Sequence, residues 1–351
     1  MARIIYGVAG QGFGHSARSH EVISHLIKQG HKVLVLTYGQ ALAIMKKDFD
    51  IIEIPGLGLH YDENILKYGT TVYENAYKIF SGGKKWTKLF KKTKEFKPQI
   101  VITDFEPISA GLAHLQRLPL ISFNNQHQMT NTEIKIPTKY KKDLLAAKVI
   151  TKSFVWGAKA YLITSFFKTK ITKKQTFLFP PVVRERVRKM KPLDKNFILV
   201  YQTDSFDYII PELEKMTKYN FKIFSKRPKY LKEKNIEYFP HDPEKFLHAL
   251  KDCQAVIATA GLSLISEALW LNKPYFALPI DHQVEQVING IYLKRLKLGD
   301  YSMKFKARQG EKFLKNLKTY KTNLKKIKKE PPYKLLAKFD ELINEIEEKK
   351  K

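Results

Sequence analysis

The sequence predicts an α/β protein of two Rossmann-like, doubly wound domains in tandem. Three observations predict it. Short apolar runs rich in Ile, Val, Leu and Phe alternate with stretches of helical periodicity along most of the chain, as in βα units whose parallel strands are buried on both faces. The alternation breaks at a segment carrying Pro180, Pro181 and Pro192, then restarts. A length of 351 residues also exceeds most single domains. The expected division is 1–183, a linker at 184–195, 196–330, and a C-terminal amphipathic helix at 331–351.

The elements follow in order. "RIIYGV" (3–8) reads as a strand, 15–29 as a helix ending at Gly30, and "KVLVLT" (32–37) as a second strand, which makes a βαβ unit. Between the first two, "GVAGQGFGHSARS" (7–19) holds Gly7, Gly10, Gly12 and Gly14. After Gly10-x-Gly12 the next glycine comes one residue too early for GxGxxG, which disfavours a nicotinamide cofactor. "KPQIVITDFEP" (97–107) is a buried strand ending in acids, "ISAGLAHLQR" a helix, "LPLISFNNQH" a strand, 138–156 a helix and "AKAYLITSFF" a strand. The Pro-rich, basic "FLFPPVVRERVRKMKPLDK" (177–195) reads as interdomain linker. Beyond it "NFILVYQT", "NFKIFSK", "IEYF", "AVIATA" and "PYFALP" are strands of a second βα domain. In "YKLLAKFDELINEIEEKKK" (333–351), Leu335, Leu336, Phe339, Leu342 and Ile343 share one helical face. Tandem domains of this kind place a cleft between them, with ligands at the carboxyl ends of the strands.

Composition narrows the function. No run of 18 apolar residues occurs and the N-terminus enters a strand pattern without a signal peptide, so a soluble or peripheral, cytoplasmic protein is expected. The single Cys253 excludes an internal disulfide and reads as a small buried apolar residue. No Cys/His cluster stands at metal-ligand spacing. Lys and Arg number 63 against 34 Asp and Glu, a net +29. That charge suits nucleic acid or an anionic membrane, and lysines spread over solvated faces account for it as well. With no recognition helix, RNP-type strand or zinc finger, nucleic acid rests on charge alone.

The most specific segment is "AVIATAGLSLISEALWLNKPYFALPIDHQVEQVING" (255–290). A strand ends at Thr259, Ala260-Gly261 makes a small turn, and a helix starting near Ser263 presents unpaired amides that suit a phosphate or diphosphate. Glu267 stands one residue too far from Ser263 for a capping box. It reads either as a solvated glutamate or as an acceptor for two neighbouring hydroxyls, as a ribose diol offers. Gln283, Gln286 and Asn289 recur every three residues on one face of the next helix. Amides that both donate and accept suit sugar hydroxyls and phosphate oxygens.

The pattern TAGxSLISEALxLxKPxxxxPxxxQxEQxxN resembles the nucleotide-sugar motif of GT-B glycosyltransferases. The resemblance is to the branch holding the peptidoglycan N-acetylglucosaminyltransferase and the monogalactosyldiacylglycerol synthases, and to an uncharacterised bacterial and archaeal group. It extends to "GQGFGHSARS", to "VITDFEP" and to "SFNNQH", where Asn124 replaces the family's usual Asp. The resemblance implies an inverting, metal-independent transfer from a nucleoside diphosphate sugar, UDP-linked, to a hydroxyl of a lipid-linked or cell-surface polysaccharide acceptor. No cofactor is implied beyond that donor. Glu267 then holds the ribose, and Gly261 with the Ser263 helix start holds the diphosphate. Gln283, Glu285 and Gln286 line the sugar and phosphate side, and the backbone from Phe239 to His241 faces the base. Gly12 and Gly14 let the backbone approach the diphosphate and sugar. His15 is the candidate base for the acceptor hydroxyl, Asp104 its orienting partner, and Glu106 the rival base. His127 is a candidate for the acceptor pocket. His20, His25, His31 and His60 read as structural or surface.

"KKWTKLFKKTKEFK" (84–97) interleaves seven lysines with Trp86, Leu89, Phe90 and Phe96. As a helix, its apolar side either docks on the protein's own core or enters an anionic leaflet through Trp86 and Phe90. Three other functions stay open at this point: a nucleotide-sugar 2-epimerase of the same fold, a basic nucleic-acid-binding or modifying protein, and a nucleotide-sugar-binding regulator without turnover.

Overall fold

The computed structural model describes residues 1–58, 61–62, 65–66, 70, 74, 83–201, 207–225 and 229–349. His60 and the Lys84 and Lys85 side chains lie outside the described residues. The chain divides into two compact units, Met1–His60 with Lys67–Val182 and Pro332–Lys351, and Tyr61–Leu66 with Val183–Pro331.

The first unit is built on a seven-stranded parallel sheet of order β3-β2-β1-β6-β7-β8-β9. Its strands are β1 (Arg3–Val8), β2 (Lys32–Thr37), β3 (Ile51–Glu53), β6 (Ile100–Asp104), β7 (Leu120–Asn124), β8 (Ala160–Thr164) and β9 (Thr176–Phe179). Its helices are α1 (Phe13–Lys28), α2 (Gly39–Met45), α3 (Gly83–Glu95), α4 (Pro107–Leu115), α5 (Gln128–Asn131) and α6 (Lys141–Phe154). The interiors of β6, β7 and β8 are entirely buried, as continuous apolar runs covered on both faces require.

Four expectations are corrected here. Residues 177–179 are not linker but belong to the edge strand β9. Helix α1 begins two residues early, because Gly12 at φ +78 turns the chain into it, and His15 becomes its third residue. On α3, Leu89 is buried and Trp86, Phe90 and Phe96 pack against the core beneath the sheet, which removes Trp86 and Phe90 as membrane anchors. Within 184–195 a short helix, α7 (Glu185–Arg188), forms.

The second unit holds a sheet of order β12-β13-β11-β10-β14-β15-β16, parallel except for β12 against β13. The strands are β10 (Ile198–Tyr201), β11 (Phe221–Ser225), β12 (Leu231–Glu233), β13 (Ile236–Pro240), β14 (Ala255–Thr259), β15 (Tyr275–Leu278) and β16 (Gly299–Tyr301). Around them lie α8 (Ile210–Glu214), α9 (Pro243–Asp252), α10 (Leu262–Trp270), α11 (Val284–Arg295), α12 (Ala307–Lys315) and α13 (Leu317–Lys325). A two-stranded ladder of β4 (Tyr61–Asp62) and β5 (Ile65–Leu66) stands apart from both sheets. Cys253 is buried, and burial raises its thiol pKa to about 12.

The last helix, α14 (Tyr333–Glu348), belongs to the first unit. Leu335, Phe339, Leu342, Ile343 and Ile346 enter the same core as β1, β6 and α1, and Phe339 meets Phe123 edge-on at 5.4 Å. Asp340 also accepts from His25 Nε2 at 2.9 Å.

Candidate functional site

Two groups of residues stand at the carboxyl ends of strands, one in each unit. In the first, strand order reverses between β1 and β6, and Val8 lies opposite Asp104. Such a switch point opens a crevice at the strand ends. Asp104, fully buried there, accepts from His15 Nδ1 at 2.8 Å, Arg18 Nε at 2.7 Å and Ser19 Oγ at 2.8 Å, and from Arg18 Nη2. Burial alone would raise its pKa. The Arg18 and His15 charges and their hydrogen bonds outweigh it and bring the pKa down to about 2.

An ionised Asp104 fixes the His15 tautomer. Arg18 Nη2 also lies 2.9 Å from His15 Nδ1, but a guanidinium nitrogen only donates. Nδ1 cannot both donate to Asp104 and accept from Arg18, and the carboxylate is the stronger partner. The proton therefore sits on Nδ1, and Nε2 carries the lone pair. The His15 side chain keeps 16% of its surface exposed, whereas that of Asp104 has none.

The rest of this network is buried. Arg18 spans from Asp104 to Asn125 Oδ1 at 2.9 Å and lies 5.8 Å from the Phe123 ring centroid. Neither Arg18 nor Asn125 was expected from sequence, since both depend on contacts about a hundred residues apart in the chain. The glycines split by purpose. A Cβ on Gly7 would sit 1.9 Å from Ser109 Oγ, and one on Gly10 would sit 2.2 Å from the Tyr38 carbonyl oxygen. Gly12 has open space around it and donates its amide to Gln40 Oε1 at 2.8 Å; Gly14 is the second residue of α1.

Two candidates are turned away from an open site. Glu106 caps α4, accepting from the Ile108 and Ser109 amides at 2.9 and 2.6 Å. Burial pushes its pKa up to about 7, against the pull of those amides. His127 is not in a pocket. Its Nε2 donates to the Val155 carbonyl at 3.2 Å, its ring lies 4.7 Å from Tyr161, and burial lowers its pKa to about 4, so it is a neutral core histidine. Asn124 accepts from the His127 amide at 3.0 Å and so shapes the turn after β7.

In the second unit β14 neighbours β10 at the corresponding reversal, and α10 follows through Gly261, which caps it without any side-chain hydrogen bond. The first-turn amides, Ser263 among them, form the end of an uncapped helix. Gln286 Oε1 accepts from the Ala260 and Ile280 amides, both at 3.1 Å, and Asn289 donates to the Ala260 carbonyl at 2.9 Å. Both side chains therefore brace the turn that presents α10, a correction to their expected contact with ligand. Gln283 accepts from Gln286 Nε2 at 2.8 Å, while Gln283 and Glu285 remain half-buried at the start of α11. Phe239 stacks on Phe224 at 5.1 Å, and exposed His241 follows, 5.5 Å from the Tyr201 ring.

Glu267 has a partner that sequence did not reveal. Arg184 grips it in a fork, Nε to Oε1 at 2.5 Å and Nη2 to Oε2 at 2.7 Å. The motif lysine Lys273 is buried and donates to the Leu193 carbonyl, tying the 184–195 segment to the loop after α10. Among the described residues no three His, Cys, Asp or Glu side chains gather as metal ligands.

The sequence matches the model of glycosyl transferase family 1 over residues 2–318. Two relatives described as uncharacterized glycosyltransferases are similar over most of their length. That of Methanosarcina acetivorans is 25% identical over 320 residues, 82% of each chain, and that of Methanosarcina mazei 24% over 323 residues, 83% of each. Among solved structures, the glycotransferase of kitacinnamycin superposes with a TM-score of 0.66 at 13% identity, covering 92% of this chain and 93% of that one. Spinosyn rhamnosyltransferase SpnG complexed with thymidine diphosphate gives 0.59 at 11%, covering 93% and 95%. These likenesses establish the GT-B fold: two Rossmann-like units with seven-stranded sheets.

Proposed function

The chain belongs to glycosyl transferase family 1 and is a glycosyltransferase, and we propose that it works by inversion on a nucleoside diphosphate sugar, UDP-linked, without a metal. In this reading the acceptor is a hydroxyl of a lipid-linked or surface polysaccharide, as in the branch of the peptidoglycan N-acetylglucosaminyltransferase and the monogalactosyldiacylglycerol synthases. The observation that carries it is the buried Asp104 on His15 Nδ1. His15 Nε2 takes the proton of the acceptor hydroxyl as that oxygen bonds to the anomeric carbon. The bond from that carbon to the diphosphate breaks, and its electron pair leaves with the diphosphate. The α10 amides and dipole hold the leaving group, Glu267 takes the ribose, and Phe239 to His241 face the base. Thymidine diphosphate in a similar fold supports a pyrimidine nucleotide donor.

The site of action in this reading is an anionic membrane surface. Lys88, Lys91, Lys92 and Lys94 of α3 are exposed, and each lysine near such a leaflet contributes on the order of 1 kcal/mol. With Trp86 and Phe90 turned inward, the apolar contribution moves to α6, where Leu145 and Val149 are 65% and 60% exposed beside exposed Lys141, Lys142 and Lys152. No helix among the described residues is long and apolar enough to cross a membrane. The test is incubation with a panel of nucleotide sugars, with and without EDTA, reading released nucleotide. Release of UDP from a UDP-sugar, unaffected by EDTA and raised by an acceptor, supports the reading; donor epimerised without acceptor dependence, or no turnover of any donor, refutes it.

A further inference from the structure

Arg18 lies one turn along α1 from His15 and is buried. Its guanidinium takes Asp104 in a fork, Nε to Oδ2 at 2.7 Å and Nη2 to Oδ1, while Nη1 donates to Asn125 Oδ1 at 2.9 Å. A carboxylate offers about four lone-pair sites, two on each oxygen. The fork fills the two parallel ones and leaves a diverging site on each oxygen; His15 Nδ1 takes that on Oδ1 and Ser19 Oγ that on Oδ2. The carboxylate is therefore locked in one orientation. Its charge is matched as well, and Arg18 Nη2 stands 2.9 Å from His15 Nδ1. A proton added to His15 meets an ion pair of no net charge, with the positive partner alongside. A lone carboxylate would instead hold that proton in place.

We infer that Arg18 is a positioning residue which, by compensating Asp104, keeps the proton off His15 Nε2 until an acceptor hydroxyl supplies one. The inference rests on the reading of His15 as the base. Other titratable groups of the first unit near the dyad are Tyr6 on β1 and Tyr38 before α2, whose hydroxyls burial holds un-ionised, and Glu106 just beyond β6. Without Arg18 the buried Asp104 charge is left to His15, which gains a proton as counter-ion and is lost as a base. A lysine at this position keeps the charge but not the fork. It separates the electrostatic role from the alignment of the carboxylate.

The test is a pH titration of the His15 ring by NMR on the full-length protein and its Arg18→Met and Arg18→Lys variants. His15→Gln assigns the signal, and thermal melting confirms that each protein is folded. The pH profile of kcat/KM for nucleotide release is measured on the same proteins. In Arg18→Met the His15 midpoint should rise by about 1 to 3 pH units, the usual effect of one close charge. The acid limb of the profile should rise with it, so that activity lost at neutral pH returns as pH is raised. Arg18→Lys should leave the midpoint near that of the wild type and lower the rate at every pH, since the charge stays and the alignment does not. A merely structural role would lower the rate in both variants without moving midpoint or limb. Glu106 itself titrates at about pH 7, so the Arg18→Met shift is repeated in Glu106→Gln, where it should persist. Should Arg18→Met not fold, Arg18→Gln, neutral but still able to donate to Asp104, is read in the same way. An unmoved His15 midpoint in the folded neutral variant overturns the inference while leaving His15 as the base. A midpoint that rises while the acid limb stays in place refutes the base reading of His15, and this inference with it.

Discussion

Replacing Asp104 by Asn separates the role of the carboxylate from its shape. Asp104 accepts four hydrogen bonds, one from His15, two from Arg18 and one from Ser19. An asparagine offers one oxygen and one NH2 in their place. If the NH2 replaces Oδ1, it faces His15 Nδ1, which must then accept, so the ring proton moves to Nε2 and the base is lost. If it replaces Oδ2, it opposes Arg18 Nε–H, which cannot turn round as the Ser19 hydroxyl can. In either orientation the buried Arg18 loses its counter-charge, a loss of about 3 to 5 kcal/mol in stability. Turnover should fall by about 10²- to 10⁴-fold, the usual contribution of a positioned base. The assay is release of nucleoside diphosphate, read together with thermal melting. Adding Arg18→Met, which removes the uncompensated charge beside Phe123, should recover part of the stability and none of the turnover. A folded Asp104→Asn enzyme that keeps more than about a tenth of wild-type turnover refutes the reasoning, because either orientation removes the carboxylate charge that stabilises His15 once it has taken the proton, and the first also inverts its tautomer.

Glu267→Ala should weaken nucleoside diphosphate binding by about 1.5 to 3 kcal/mol, and calorimetry showing wild-type affinity would discard its donor role. His127 has its pKa lowered from 6.5 to about 4 by burial, so between those values the unfolded chain binds more protons. It contributes stability that is fully present above pH 6.5 and is lost as pH falls toward 4, about 3 kcal/mol in all. Urea titrations at several pH values should show this slope in the wild type and not in His127→Gln; equal slopes would exclude it. The protein should cosediment with anionic but not zwitterionic vesicles, less so in high salt. Lys88→Glu with Lys91→Glu and Lys92→Glu should weaken it, as should Leu145→Ser with Val149→Ser. No vesicle binding at low salt, with tight binding to duplex DNA, would favour a nucleic-acid partner.

What was legible in the sequence was whatever is written in local pattern. The buried strands were readable because β6, β7 and β8 are continuous apolar runs, and His15 and Asp104 because one lies in the first turn of the helix after β1 and the other ends β6. The small turn at Ala260-Gly261 and the three-residue spacing of Gln283, Gln286 and Asn289 located α10 and α11, but not what those amides bind. Gln286 and Asn289 turn back to Ala260, which spacing alone cannot distinguish from reaching a ligand. Arg184 and Arg18 were not legible, since their partners lie 83 and 86 residues away and one arginine in a lysine-rich chain resembles any other. The edge strands β3 and β16 are three residues each, too short for a period to emerge. The apolar face of α14 was visible; its insertion beside Phe123 was not, because nothing local specifies which core it completes.

The central claim is that His15, aligned by Asp104, removes the acceptor proton during sugar transfer. It is tested most directly by measuring, on His15→Ala, both the turnover of the nucleotide sugar that the wild type uses and the affinity for that donor. The account predicts turnover lower by about 10²- to 10⁴-fold with donor affinity largely kept, since a general base acts in the transition state and not in donor binding. Full turnover in this variant would contradict it, and so would a loss confined to donor affinity.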